Sequence, residues 1–242
     1  MATRKVKSRF ENALPRSFSA APLYETRQMD PTPTKRQRLL LRAWENFVAK
    51  KYECTPDYHE AEKSIAGLAY SAKDVERFSL TMPELKGKNC LAWHAGLFLS
   101  ALINHGTGAG YVIHTRHRKR APDALGFFNT KNIRVEGPVG LWLGEFMKRG
   151  IIVVNGNAGD CVGEGMKNGH IIVWGRAGKE IAQYMEAGTI IVKDGLDDPG
   201  SLMGGYSDKE ARVFIEGGEC PIKHRLGHLE LYHEGTRVPE PG

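Results

Sequence analysis

Five carboxylates in the second half of the chain, Glu145, Asp160, Glu164, Asp197 and Asp198, are of the type that works in acid–base pairs. Two such groups, one protonated and one ionised, could cleave a glycosidic bond if the fold held them a few ångströms apart. Three histidines, His224, His228 and His233, stand with Glu230 and Glu234 in a stretch that invites a metal reading. However, a metal site needs three or four converging ligands, and residues four apart converge on a helix, not on a strand. The run His114-Thr115-Arg116-His117-Arg118-Lys119-Arg120 carries four cations in seven residues, enough to attract phosphate or an acidic partner. No Gly-x-Ser-x-Gly elbow, phosphate loop or dinucleotide fingerprint accompanies these residues. The sequence therefore assigns neither a catalytic nor a metal-binding residue.

The four cysteines, Cys54, Cys90, Cys161 and Cys220, are too far apart for a C-x-x-C knot. Unpaired thiols in a reducing, cytoplasmic setting are the expectation. Met1 to Leu23, rich in Arg, Lys, Ser and Ala with Glu11 as its one acid, leaves organelle import as the alternative. No run approaches the roughly 18 apolar residues of a membrane helix, so no membrane role is expected. The formal charge of +6 is unevenly placed. Residues 1–51 hold 12 Lys/Arg against 4 Asp/Glu, leaving 22 basic and 24 acidic groups for the rest. A nucleic-acid role would thus rest on the amino-terminal arm alone, and is disfavoured.

What must position any of these side chains is a repeat. Ile133-Arg134-Val135, Ile152-Val153-Val154, Ile171-Ile172-Val173 and Ile190-Ile191-Val192 recur every 19 residues. Glycines keep the same interval: Gly137, Gly156 and Gly175; Gly140, Gly159 and Gly178; Gly144 and Gly163; Gly150, Gly169 and Gly188. Met147, Met166 and Met185 keep it too, as do Leu143, Val162 and Ile181. Two looser copies follow, at Val213/Ile215 and Leu229/Leu231. The first and third positions of every copy are aliphatic, the two-residue period of a strand with one buried face. Nineteen residues with one strand and several glycines are too few for a crossover helix but suit one coil of a solenoid. The prediction is a parallel β-helix of about six coils over residues 111–242. Inside lies an aliphatic ladder, with a methionine ladder at one corner and glycines at the turns.

The stretch Gly156-Asn-Ala-Gly159-Asp-Cys-Val-Gly163-Glu-Gly165-Met166-Lys-Asn-Gly169 resembles the glycine-motif (GXGXG) β-helix that closes the glutamate synthase large subunit. It is similar also to the β-helical subunit of formylmethanofuran dehydrogenase. The resemblance runs from about Leu125 to Gly235 and implies a right-handed β-helix serving as a rigid spacer and docking scaffold. By the same resemblance, flavin (FMN) or iron–sulfur chemistry belongs to partner subunits and this chain carries no cofactor. Two departures stand out: Ala182 replaces the column glycine of Gly144 and Gly163, and Leu196-Asp197-Asp198-Pro199-Gly200 is inserted.

Upstream, residues 1–33 read as a basic, extended arm and residues 34–110 as a helical cap. Thr34 can cap a helix through Lys51 that turns Leu40, Trp44, Phe47 and Val48 inward. Asp57 to Phe78 reads as a second helix, weakened at Gly67, and Leu91 to Asn104 as a third, the candidate cover for the open end of the stack. Tyr111-Val112-Ile113-His114 is a candidate early coil. The outward row of the strands, aligned as Arg134, Val153, Ile172, Ile191, Phe214 and Glu230, is apolar in its middle, with Trp174 alongside. Such a row predicts a docking face of Val153, Ile172, Trp174, Ile191 and Phe214 for a partner subunit or a second copy, or a seat for the first helix. Three functions compete: a non-catalytic scaffold in a redox or amide-transfer complex, a self-sufficient β-helix enzyme acting on carbohydrate or a small metabolite, and nucleic-acid binding through the arm.

Overall fold

A computed structural model describes residues 33–49, 57–83, 91–198, 202–203, 211–219, 223–224 and 229–238. The expected basic arm, up to residue 32, lies outside them.

Helix α1 (Lys35–Ala49) begins where Thr34 Oγ1 accepts the amide of Gln37 at 3.2 Å. Its apolar stripe, Leu40, Trp44, Phe47 and Val48, is buried, as its helical spacing predicts. The expected second helix is in fact two, α2 (Tyr58–Ile65) and α3 (Ala72–Thr81). The chain breaks at Gly67, whose φ of +77° no helix accommodates. It restarts at Ser71, which forms a reciprocal capping box with Asp74. Helix α4 (Leu91–His105) follows the predicted third helix closely. The rings of Trp44, Phe47, Phe78 and Phe98 pack against one another across α1, α3 and α4.

The remainder is a parallel solenoid. Strands β1 (Gly110–His114), β2 (Asn132–Glu136), β3 (Ile151–Val154), β4 (His170–Val173), β5 (Gly188–Val192), β7 (Ala211–Ile215) and β9 (Leu229–His233) form one sheet, each pairing in parallel with the next. Tyr111 pairs with Ile133, so the candidate early coil is the first rung. A short strand β10 (Thr236–Arg237) folds back antiparallel on β9. Two further short strands, β6 (Leu202–Met203) and β8 (Lys223–His224), pair in parallel as a separate two-stranded sheet.

The inward ladder is as the repeat predicts. Ile133, Val135, Ile152, Val154, Ile171, Val173, Ile190, Val192, Val213, Ile215 and Leu231 are fully buried, and Leu229 nearly so. Met147, Met166 and Met185 stack beside them, with Leu143, Val162 and Ile181 closing the interior. The helical residues and the solenoid interior form one continuous core.

One alignment needs correction. Val213 pairs with Leu231, not Leu229, and Phe214 pairs with Tyr232. The last rung is therefore shifted by two residues from the sequence alignment. A two-residue shift preserves which side chains point inward, so the pattern alone could not detect it.

Two helices share the capping role given to one. Ser100 of α4 receives the amides of Gly126 and Phe127 and donates to the carbonyls of Gly96 and Ala124. Helix α3 lies along β1, where Ser79 Oγ accepts the amide of His114 at 3.0 Å. One amide on the first coil's free edge is thereby satisfied.

Candidate functional site

The turn between Leu141 and Met147 and its copies one and two coils on carry an unexpected backbone. Trp142, Gly144 and Phe146 all have positive φ, as do Cys161, Gly163 and Gly165, then Glu180, Ala182 and Tyr184. In the first copy the amides bond alternately to the coil after and the coil before: Trp142 to the Asp160 carbonyl, Gly144 to that of Leu125, Phe146 to that of Glu164. These inter-coil bonds hold non-glycine residues in a region they rarely enter. The glycines of the repeat divide accordingly. Gly137, Gly144, Gly150, Gly163, Gly169 and Gly188 have positive φ. Gly140, Gly156, Gly159, Gly175 and Gly178 have ordinary φ but no room for a side chain; at Gly156, for example, a Cβ would lie 2.6 Å from the backbone of Gly137.

This corner brings carboxylates into one column. Glu145 and Glu164 occupy equivalent positions in successive coils, where Trp142 and Cys161 are likewise equivalent. Burial first, and Glu164 second, push the Glu145 carboxyl up to about 7. Its Oε2 is buried without a hydrogen-bond partner. Cys161 is buried one turn away, its Sγ 3.8 Å from Glu180 Oε2. Burial and then the charges of Glu164, Glu180 and Asp160 push its thiol up to about 12. Around them stand the rings of Trp142, Phe146 and Tyr184, the last more than half exposed. Asp160 is otherwise engaged: its Oδ1 accepts the Lys179 amide at 2.9 Å, a coil-to-coil strut like that from Asp123 to the Leu141 amide. Asp197 pairs with Arg176 at 2.8 Å, away from Glu145. Of the five carboxylates, the fold thus stacks two.

His224 lies in β8 and His233 in β9, strands of different sheets, while His228 lies outside the described residues. Among the described residues no group of three or more His, Cys, Asp and Glu converges on a point that could hold a metal ion. An acid–imidazole cluster that spacing did not suggest joins α2 to the end of α4. There Glu62 engages His105 Nε2 and His59 Nδ1, each at 2.8 Å. Burial acts to raise the Glu62 carboxyl, but the two imidazole hydrogen bonds prevail and hold it below the usual carboxylate range. A shallow cleft lined by Glu62, Lys63, Tyr70 and His105 adjoins it.

The outward face of the sheet also differs from expectation. Its middle row reads Val112, Arg134, Val153, Ile172, Ile191, Phe214 and Tyr232. Val153, Ile172 and Ile191 are only 1–2% exposed, so they are not an open apolar patch. They form a cluster of their own, bordered by Ile151, Trp174 and Phe214. Helix α1 does not sit there, because Leu40, Trp44 and Phe47 belong to the main core. Toward the last rungs, the Phe214 and Tyr232 rings stack with centroids 4.7 Å apart and remain half-buried.

No helix among the described residues is long and apolar enough to cross a membrane. Comparison with protein-family models, with curated proteins and with solved structures finds no match for this chain.

Proposed function

We propose that this chain is a non-catalytic scaffold subunit, holding redox or amide-transfer partners at a fixed separation in a complex like glutamate synthase. The observation that carries the reading is the ladder itself. Seven parallel strands in continuous register span about 29 Å at the usual strand spacing. Their shared core with α1–α4 resists bending, which is what a spacer requires. The glycine and methionine columns that resemble the glutamate synthase β-helix support the same reading, with a formylmethanofuran dehydrogenase-like assembly as its variant. Partner contact would use half-buried Trp174 beside the outward row and Phe214 and Tyr232 at its end, as Val153, Ile172 and Ile191 are already shielded. The tagged chain purified from its native cell should carry a stoichiometric partner with flavin or iron–sulfur absorbance. Recovery of the chain alone, with no such partner at low salt, overturns the reading.

The stacked pair Glu145 and Glu164 favours a second reading, a β-helix enzyme acting on carbohydrate. A carboxyl that is partly protonated near neutral pH, stacked beside a second carboxyl, matches the needs of general acid catalysis. Glycan hydrolysis by the purified chain, abolished in both Glu145→Gln and Glu164→Gln, would establish it; an inert wild type across a glycan panel would remove it.

A further inference from the structure

The strand register exposes an insertion that composition alone does not mark. From Tyr111 to Pro122 the chain takes 11 steps, whereas from its partner Ile133 to Gly140 the next coil takes seven. Pro122 and Gly140 are equivalent, because the Gly140 amide bonds to the Pro122 carbonyl as the Gly159 amide bonds to that of Gly140. The additional residues fall in Thr115–Ala121 and include Arg116, Arg118, Lys119 and Arg120, with no acid in the segment.

This loop is built, not loose. The amide of Arg116 bonds to the Glu136 carbonyl at 3.2 Å, and that of Arg118 to the Thr115 carbonyl at 3.0 Å. The Arg118 guanidinium donates to the carbonyl of Met82 at the end of α3, at 3.2 Å. With Thr115 buried and Arg118 turned inward, Arg116, His117, Lys119 and Arg120 are held at the exposed corner of the first coil.

Along the rest of the solenoid, cations and carboxylates are interspersed. Residues 122–198 hold 8 Lys/Arg against 10 Asp/Glu. Within the described solenoid the acid-free segment, with Asp123 the nearby carboxylate that Arg120 acts on, thus borders coils whose side chains sum to a slight negative charge. A nucleic-acid strand leaving the loop would cross that repelling surface, and the segment itself contains no Phe, Tyr or Trp for a base to stack on. A short acidic peptide places all its charge at one spot.

We infer that the Arg116–Arg120 loop is a docking point for an acidic segment of a partner polypeptide. The inference rests on the scaffold reading and gives it a partner chemistry. Charge complementarity of this kind raises association rates and selects partners more than it adds affinity.

The test uses the full chain and two probes, a fluorescein-labelled ten-glutamate peptide and a labelled ten-nucleotide single-stranded RNA. The peptide should bind at low salt, about tenfold more weakly to the Arg116→Glu/Lys119→Glu/Arg120→Glu variant, and with affinity falling as salt rises. A control with the same charge change on exposed sites elsewhere, Lys73→Glu/Arg149→Glu/Lys179→Glu, should lose less than about twofold. Should charge reversal unfold the loop variant, the corresponding glutamine variant, checked by its melting curve, replaces it and should weaken binding in the same direction. Equal losses in loop and control variants, RNA binding tighter than peptide, or no peptide binding would each overturn the proposal. Because the probe is defined, its failure is distinguishable from the absence of a native partner.

Discussion

The δ-methyl of Ile190 occupies the space that a side chain on Gly163, in the preceding coil, would need. The same relation links Gly144 with Ile171 and Gly126 with Ile152. At the next step the glycine becomes Ala182, and the strand register puts Val213 where Ile190 would recur. Valine has no δ-methyl, so the alanine Cβ is accommodated. What reads in the sequence as decay of the repeat is a paired exchange of volume.

Gly163→Ala should therefore destabilise by about 1–3 kcal/mol, from overpacking together with left-handed strain at a φ of +72°. Adding Ile190→Val should recover part of that loss, although Ile190→Val alone costs about 1 kcal/mol. Urea denaturation of the four proteins gives the coupling energy, expected to be at least about 0.5 kcal/mol and favourable. Strict additivity would mean that the two positions do not compete for space.

The outward row yields a second prediction. Lysine at Ile172 or Ile191 would have to bury its ammonium among Val153 and Trp174, or disrupt the face to escape. Each substitution should cost about 2–4 kcal/mol, by denaturation, where an exposed strand position would cost a few tenths. Ile172→Thr, smaller and uncharged, should cost less than half as much.

How the sequence encodes all this depends on which atoms meet. The rungs were legible because a buried ladder demands aliphatic residues at alternate positions, and Ile133/Val135 through Ile190/Val192 comply without exception. The final register was not, because Leu229-Glu230-Leu231 satisfies a period of two in either alignment. The left-handed corner was hidden because Trp142, Phe146, Cys161, Glu180 and Tyr184 advertise nothing about φ; at Trp142, Phe146 and Cys161 a hydrogen bond to the next coil holds it. The stacking of Glu145 on Glu164 was implicit in their spacing of 19, but Asp160 and Asp197 looked equally able and only coordinates reveal their structural partners.

Cys161 offers a chemical check on the corner. With the thiol pushed up to about 12, little thiolate exists at pH 8, and the sulfur is buried as well. Iodoacetamide at pH 8 should leave Cys161 unmodified in the folded protein and label it promptly in denaturant. Peptide mass spectrometry reads both states. Rapid labelling of the native protein would show that the corner opens readily.

Glu145 gives the pH dependence. Its carboxyl is raised from an ordinary value of 4.5 to about 7 in the folded chain, so between those values the folded state binds more protons than the unfolded one. Stability from this group is thus fully present below about pH 4.5 and declines as pH rises toward 7, where the carboxylate must ionise beside Glu164. Glu145→Gln removes that penalty. Discounted for partial exposure, the variant should gain about 1–2 kcal/mol over wild type at pH 8 relative to their difference at pH 4.5. Glu164→Gln should show a smaller gain of the same sign, because the neighbouring charge is the second cause of the shift and burial the first. Denaturation curves for the three proteins at pH 4.5, 6 and 8 supply the comparison, and a wild type whose stability relative to Glu145→Gln is constant across that range would mean that Glu145 is solvated and not stacked.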